Sequence, residues 1–506
     1  MADFLAVFSA LTPFDYVLCV FSTFAGIIVG AIPGLGATMA VAILTSFTAK
    51  MATLPSMAVL VGIYVGAVYG GSIAAILMKV PGTAAAIMTA NDGYPLAKKG
   101  YAGQAIGISA YSSFIGGIIG SILLLLGCSA FSLIAVKFAY PEYFVLSIFG
   151  LCVIAGTDDN LLKGIISAAF GILLAGTGTD YLTGTKRLTF GVDELMSGYD
   201  VIAVLIGIFG LCELMKQILR MKNLEGNKQE LKHIFPTREI RKRIHKTIAR
   251  SSLIGMFIGV LPGAGAQISA FVAYETEKNS NPRKAEFGTG VWEGIAAPES
   301  ANNATVGGTL VPALALGVPG DPTAAVIISA LALHGVICGP TIFQSSSEAV
   351  NGIYVFMFVA NIAMFIMAIT MAKFFAKILE VDNRILVPIV LVVCIIGTYS
   401  SSNRTFAILV MVAMGVIGFL MEKVGLSPAA AILGVVLGQL CEKNLRSALV
   451  MSKGDWGIFF RFIPNVFWIL TIIMVFQPRV KKFLKWRKAK AKQKQQKLRS
   501  RKEISQ

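Results

Sequence analysis

Two short runs of Pro and Gly interrupt apolar stretches of the chain and form the backbone features best suited to binding. The first run spans 33–36 and the second spans 262–265. Pro removes a backbone donor and Gly relaxes the backbone, so each run should stop one helix and start another. The N-terminus of the new helix suits an anion, and the carbonyls that end the previous helix suit a cation. The residues concerned are Pro33, Gly34, Gly36, Pro262, Gly263 and Gly265.

Polar side chains lie close to both runs, inside or beside apolar stretches. The segment 299–305 alone holds one carboxylate, two amides and two hydroxyls. Such groups are costly in a membrane unless they line a cavity or bind a ligand. Lys79 precedes a Val-Pro-Gly run and offers a charge that neutralises an anionic substrate. The other predicted substrate-binding residues are Thr38, Pro81, Gly82, Gln267, Ser269, Glu299, Ser300, Asn302, Asn303, Pro319, Gly320, Asp321 and Thr323.

Several of these residues also have a purely structural interpretation. A single Pro-Gly-x-Gly run can be a close contact between helices, and Glu299 can be a partnered structural carboxylate. Asn302 and Asn303 can cap a helix, and Lys79 can extend its amine to the membrane interface. The presence of two Pro-Gly-x-Gly runs, one in each half of the chain, favours a binding site.

The two Pro-Gly runs belong to an internal repeat. The matched pairs are 30–37 with 259–266, 70–72 with 307–309, and 80–83 with 318–321. The spacing from the second Gly of the middle match to the following Pro is ten residues in one half and eleven in the other. Corresponding Gly- and Pro-interrupted segments in two halves are typical of the binding site of a secondary transporter.

The composition is that of a polytopic membrane protein. Charged residues make up 14% of the 506 residues, against about 25% in soluble proteins, and mean hydropathy is +0.74. The net charge of +17 is concentrated in 216–250 and 479–506, so we expect these stretches to be cytoplasmic and to bind no nucleic acid.

The seven Cys form no CxxC pair, and the chain has no P-loop or nucleophile motif. We therefore predict no enzyme and no bound cofactor.

The apolar stretches predict an all-α polytopic membrane protein with about twelve transmembrane segments. We predict two transmembrane repeats, 1–215 and 251–478, each with broken helices or hairpins and with inverted orientation. The stretch 216–250 is the basic cytoplasmic linker between them. The stretch 479–506 is a basic cytoplasmic tail that lies against anionic lipid.

Longer stretches carry a family resemblance. The runs GVLPGAGAQISAFVAYETEK and FGTGVWEGIAAPESANNATVGGTLVPALALGVPGDPTAAV are similar to the large membrane subunit of tripartite tricarboxylate transporters. The resemblance extends from about residue 15 to 475 and includes GAIPGLGATMAVAI and GVVLGQLCEKNLRSALVMSKGDW. By motif match it assigns to the translocation site Pro33, Gly34, Gly36, Pro262, Gly263, Gly265, Glu299, Ser300, Asn302, Asn303, Pro319 and Gly320.

The resemblance implies a secondary transporter in the bacterial inner membrane, driven by a sodium or proton gradient and working by alternating access. It also implies two partners, a small membrane subunit of about four helices and a periplasmic carboxylate-binding protein. We expect half-helix N-termini and nearby hydroxyls and amides to bind the substrate carboxylates. Backbone carbonyls with Asn302, Asn303 or Asp321 would bind the cation. The cationic tail and Asp321 depart mildly from the pattern.

Three other interpretations remain open at this point. The chain fits a stand-alone carboxylate carrier that needs no binding protein. It also fits an intramembrane enzyme that uses Glu299 or Asp321 as acid or base, although no partner His, metal ligand or nucleophile accompanies them. The third interpretation is a scaffold subunit whose tail recruits a partner.

Overall fold

The computed structural model describes residues 7, 9–135, 137–157, 161–180, 183–219, 231, 233–261, 263–379, 381 and 383–473. Pro262 and the basic tail therefore lie outside the described residues. In the described part, the regular structure is helical apart from one two-stranded antiparallel ribbon that pairs Gly178 with Arg187.

The helices of the first half are α1 Pro13–Ala31, α2 Ala37–Thr48, α3 Thr53–Met78, α4 Ala86–Leu96, α5 Ala102–Ala135, α6 Tyr140–Thr157, α7 Leu161–Ala175 and α8 Val201–Leu219. The ribbon strands, β1 Gly178–Thr179 and β2 Lys186–Arg187, precede α8. The helices of the second half are α9 Arg238–Val260, α10 Gly265–Ser280, α11 Trp292–Leu316, α12 Pro322–Leu333, α13 Ser347–Thr370, α14 Asn383–Ser402, α15 Thr405–Lys423, α16 Pro428–Met451 and α17 Phe462–Ile473.

The predicted breaks at both Pro-Gly runs are present. The first lies between α1 and α2, where Gly34 has a φ of 88°. The second lies between α9 and α10, where Gly263 has a φ of 79°. These angles belong to the left-handed region that Gly adopts without strain, so the chain turns there and a new helix begins.

Two long apolar stretches, 306–335 and 352–379, are each divided into two helices. The stretch 306–335 is divided between α11 and α12, because Gly317 is left-handed with a φ of 70° and a Pro-Gly pair follows it. The stretch 352–379 is divided at Met371, where α13 ends and the short helix Ala372–Ile378 begins. The predicted linker 216–250 includes the end of α8 and the first half of α9, so its boundaries fall inside helices.

The first and third helices of each half touch through their backbones. A Cβ added at Gly26 on α1 would lie 2.6 Å from the Ile63 carbonyl oxygen on α3. A Cβ added at Gly255 on α9 would lie 2.2 Å from the Ala301 carbonyl oxygen on α11. Position 255 follows 26 by 229 residues, and 301 follows 63 by 238. The same two offsets relate the contact of Gly30 with Ala67 to that of Gly259 with Thr305, and the contact of Gly70 with Ile27 to that of Gly308 with Met256.

The contacts around the Val-Pro-Gly runs repeat in the same way. A Cβ added at Gly82 would lie 2.8 Å from the Gly71 Cα, and one added at Gly320 would lie 2.7 Å from the Thr309 Cα. Thr309 therefore takes the place of Gly71. The match of 70–72 with 307–309 made from the sequence is therefore wrong by one residue. That match gave spacings of ten residues in one half and eleven in the other, whereas the structural match gives the same spacing in both.

Each half also supplies helices to the other. α5 of the first half packs on α11 of the second, and α13 of the second packs on α3 of the first. Likewise α7 packs on α16, and α15 packs on α8. These paired contacts join both halves into one interlocked body, so neither half buries its third helix alone.

Asp92 on α4 holds the segment that leads into α11. This side chain is fully buried, and its Oδ1 accepts hydrogen bonds of 2.9 Å from the backbone N–H groups of Gly288, Gly290 and Val291. Its Oδ2 accepts a further bond of 2.9 Å from the Tyr274 hydroxyl. A carboxylate with four donors is well satisfied although it is buried, so Asp92 links the two halves structurally.

Seven helices of the described chain are long and apolar enough to cross a membrane. Five of them are α1, α3, α8, α13 and α15, which are Pro13–Ala31, Thr53–Met78, Val201–Leu219, Ser347–Thr370 and Thr405–Lys423. The other two are Ala86–Cys128, which joins α4 to most of α5, and Arg384–Ser402 within α14. The protein is therefore a polytopic helical membrane protein. The number of about twelve crossings and the inverted relation of the halves stay predictions.

Candidate functional site

A cavity of about 1290 Å³ lies between the two halves, at the breaks described above. Its walls include 33–34, 36–39 and 80–85 from the first half and 263–268 and 321–323 from the second. All four Gly- and Pro-containing breaks thus contribute to one space, although they are far apart in the sequence.

Four helices begin at this cavity. The first turns of α2, α4, α10 and α12 contribute Ala37, Ile87, Gly265 and Pro322 to its walls. Each helix N-terminus carries free N–H groups and about half a positive charge. Their convergence provides positive helix ends that favour an anion in the cavity.

The structure brings most of the predicted site residues to the cavity. Those that line it are Pro33, Gly34, Gly36, Thr38, Pro81, Gly82, Gly263, Gly265, Gln267, Asn302, Asp321 and Thr323. Those that do not line it are Lys79, Ser269, Glu299, Ser300, Asn303, Pro319 and Gly320.

Asp321 caps the helix that begins beside it. One carboxylate oxygen accepts a bond of 2.7 Å from the Ala324 backbone N–H in the first turn of α12. The other accepts a bond of 3.0 Å from the Tyr64 hydroxyl, which is also 3.3 Å from the Thr309 hydroxyl. Asp321 therefore caps the N-terminus of its own helix. The positive end of that helix offsets the carboxylate charge, so a carboxylate here is compatible with an anion nearby.

The corresponding N-terminus of α4 has no such cap. The helix begins without a capping side-chain hydrogen bond. Asn302 lines the same cavity with 2% exposure, and its Nδ2 has no hydrogen-bond partner within the part of the chain that the structure describes. A buried, unpaired amide donor costs about 1–3 kcal/mol, so it points to a group that the cavity receives.

Glu299 lies in a separate polar cluster. It is fully buried on α11 and accepts hydrogen bonds from Thr89, from Ser113 at 3.0 Å and from Ser109 at 3.3 Å. It does not line the cavity, and its role at the site stays a prediction. Asn303 is directed along the helix, where its Nδ2 donates to the Glu299 backbone carbonyl at 3.0 Å.

The remaining residues outside the cavity have structural contacts. Ser300 bonds the Ala296 carbonyl at 2.7 Å, and the Ser269 hydroxyl accepts a bond of 2.7 Å from Thr305. Lys79 is exposed at the end of α3, with its amine 5.9 Å from the centre of the Tyr94 ring. Both interpretations of Lys79, at the membrane interface and at the substrate, stay predictions.

The end of α8 contributes residues that sequence analysis missed. Gln217 donates to the Pro33 carbonyl at 2.8 Å and so holds the first break. Lys216 pairs with Glu213 and lies 2.9 Å from a Glu422 carboxylate oxygen, and all three line the cavity. The sequence signal that could have identified these cavity residues is their spacing, because 213, 216 and 217 lie on one face of a helix. Tyr64 carried no such signal in α3, which has no charged residue.

A second charged cluster lies at the ribbon and α16. Asp180, which is 3% exposed, accepts a bond of 2.7 Å from Arg446 and lies 3.5 Å from Arg187. Arg187 also donates to Glu442 at 2.6 Å, and this hydrogen bond raises the pKa of Arg187 above its ordinary value. The network attaches the ribbon to α16, so Asp180 has a structural role.

Comparison with known proteins adds independent information. The model of the Tripartite tricarboxylate transporter TctA family matches residues 17–433. An uncharacterized 52.8 kDa protein in the TAR-I ttuC' 3' region of Agrobacterium vitis is 36% identical over 452 residues, which cover 89% of this chain and 90% of that relative. An uncharacterized protein in the TAR-II ttuC' 3' region of the same organism is 38% identical over 205 residues, which cover 40% of this chain and 85% of that relative. No solved structure matches the chain.

Proposed function

The chain belongs to the tripartite tricarboxylate transporter TctA family, and on this premise we propose that it is the large permease subunit of an ion-gradient-driven carboxylate importer. The observation that carries the proposal is the convergence of four helix N-termini on one cavity between two broken segments. This arrangement supports binding of an anion at the junction of two halves, as secondary transporters bind it.

In this proposal the halves give alternating access to the cavity. The substrate carboxylates bind to helix N-termini and to nearby amides, where fixed N–H groups replace their lost water. Asp321 and Asn302 offer oxygens to a coupling sodium ion, since hard cations favour oxygen ligands. Glu299 is buried and has no basic partner among the described residues, so it is a second carboxylate available to a coupling sodium ion or proton.

We further propose the assembly and location that such a function requires. The small partner is a membrane subunit of about four helices, and a periplasmic protein delivers the carboxylate. The complex lies in the bacterial inner membrane, with the 216–250 linker and the 479–506 tail in the cytoplasm. The concentration of basic residues in these two stretches supports that orientation.

The experiment that tests the proposal is uptake of labelled citrate and smaller carboxylates into proteoliposomes. The protein is reconstituted with its small partner, with and without the binding protein, under an imposed sodium or proton gradient. A sodium ionophore and a protonophore, applied separately, serve as controls for the driving gradient. We expect uptake that requires the binding protein and stops when one of the two gradients is removed.

Other outcomes would change the proposal. Gradient-driven uptake without the binding protein would replace it with a stand-alone carboxylate carrier. Failure to take up any carboxylate, by protein shown to be folded and correctly reconstituted, would refute the carboxylate proposal.

A further inference from the structure

The two halves present equivalent positions to the cavity but fill them with different residues. The offset of 238 residues that relates the contacts of α3 and α11 pairs Tyr64 with Asn302. The same offset pairs Asp321, the N-cap of α12, with Thr83, which begins the turn that leads into α4 three residues before its first residue, Ala86. The cavity therefore has two equivalent corners, each made by a helix N-terminus of one half and a side chain on the third helix of the other half.

One corner is complete without a ligand. At the start of α12 the Asp321 carboxylate accepts a backbone N–H and the Tyr64 hydroxyl, at 2.7 and 3.0 Å. A negative group there already satisfies the positive end of the helix. A second anion at the same corner would be repelled by this carboxylate.

The other corner has a different set of donors and no carboxylate at the position equivalent to Asp321. Thr83 stands where Asp321 stands, and α4 begins without a side-chain cap. Asn302 stands where Tyr64 stands and lines the cavity, and its buried Nδ2 has no hydrogen-bond partner among the described residues. The equivalent of Thr309 is Gly71, so this corner also lacks that hydroxyl and the bulk of its side chain.

We propose that a carboxylate group of the substrate binds at the N-terminus of α4, in the place that the Asp321 carboxylate takes at α12, and accepts a hydrogen bond from Asn302 Nδ2. This assignment rests on the proposed function and specifies where one carboxylate is held. It makes Asn302 and the 84–85 backbone a single anchor for any carboxylate substrate. Discrimination among mono-, di- and tricarboxylates then depends on the other cavity walls.

The first test removes the donor. In the full reconstituted complex, Asn302→Ala should raise the KM for uptake, because the carboxylate loses one charge-assisted hydrogen bond. The expected rise is about ten- to one-hundred-fold. Asn361→Ala is the matched control, since Asn361 is also buried at 1% exposure on a packed helix, α13, and is not part of the cavity wall. Its KM should stay at the wild-type value.

The second test places a carboxylate in the empty corner. Thr83→Asp should cap α4 as Asp321 caps α12 and occupy the substrate's position, so uptake should be lost in protein that resists heat at least as well as wild type. Thr83→Val keeps the shape without the charge and should lose much less. Retained heat resistance separates occupation of the corner from misfolding.

The outcomes distinguish this inference from the proposed function. If the wild-type protein takes up carboxylates, a raised KM in Asn302→Ala together with loss of uptake in Thr83→Asp supports the anchor. If the wild-type protein is active, an unchanged KM in Asn302→Ala or normal uptake in Thr83→Asp overturns the anchor. The proposal that the protein is a transporter then remains valid. Absence of carboxylate uptake by wild type overturns both.

Discussion

Replacement of Gly82 by Ala tests whether direct backbone contact holds the cavity wall in position. A Cβ added there would lie 2.1 Å from the Gly30 carbonyl oxygen on α1 and 2.8 Å from the Gly71 Cα on α3. Close carbon–oxygen contacts in proteins are about 3.3 Å, so the 82 backbone has to move by about 1 Å. The movement also strains the bond of 3.1 Å from the Gly82 N–H to the Gly71 carbonyl.

The close contact and the strained hydrogen bond together set the expected loss of stability. Overpacking of a close contact costs about 1–3 kcal/mol, and weakening one backbone hydrogen bond adds about 0.5–1.5 kcal/mol. We therefore expect Gly82→Ala to lower stability by about 2–4 kcal/mol. Because α4 begins a few residues later, the shift also displaces one wall of the cavity, so uptake should fall as well.

The assay is the fraction of detergent-purified protein that remains monodisperse after heating, together with uptake in proteoliposomes. Gly176→Ala is the matched control, because a Cβ there comes no closer than 3.5 Å to a neighbouring atom and Gly176 is not part of the cavity wall. Gly320→Ala, with a closest approach of 2.6 Å to the Gly259 carbonyl oxygen, should resemble Gly82→Ala. A Gly82→Ala protein as heat-resistant and active as wild type, or a Gly176→Ala protein equally damaged, would refute the reasoning.

Three further predictions concern charged side chains. Asp92→Ala leaves four donors without their acceptor and should lower stability by more than about 3 kcal/mol, measured by heating in detergent; unchanged heat resistance would show that water replaces the carboxylate. Glu299→Gln removes a buried charge while keeping its size, so gradient-driven accumulation should be lost while the protein stays folded; wild-type accumulation at every sodium concentration and pH would exclude Glu299 from coupling. Arg446→Met leaves the Asp180 carboxylate with a weaker partner and should loosen the ribbon, measured as faster proteolysis there; an unchanged cleavage rate would contradict the structural role.

Sequence analysis located the backbone breaks because Pro and Gly act on the chain locally. The left-handed Gly34 and Gly263 follow from residue type, and so do the helices that begin soon after them. The membrane setting followed from composition, and the helical architecture followed from the membrane setting, since helices satisfy their own backbone groups in lipid.

Sequence analysis did not decide which residues of the PESANNA run face the cavity. Asn302 and Glu299 are three residues apart on α11, yet the first lines the cavity and the second contacts hydroxyls of α4 and α5. Which side of a helix meets a cavity depends on how its neighbours pack around it. That packing involves residues hundreds of positions away.

The sequence by itself therefore determined the membrane class, the breaks and the family, because each depends on composition or on local residue types. The tertiary structure alone decided which breaks meet, and it added Tyr64 and Gln217 to the site. It also showed that Asp321 caps its own helix while α4 is left uncapped. The physical reason is that these contacts join distant segments, whose distances are set by long-range packing of the two halves.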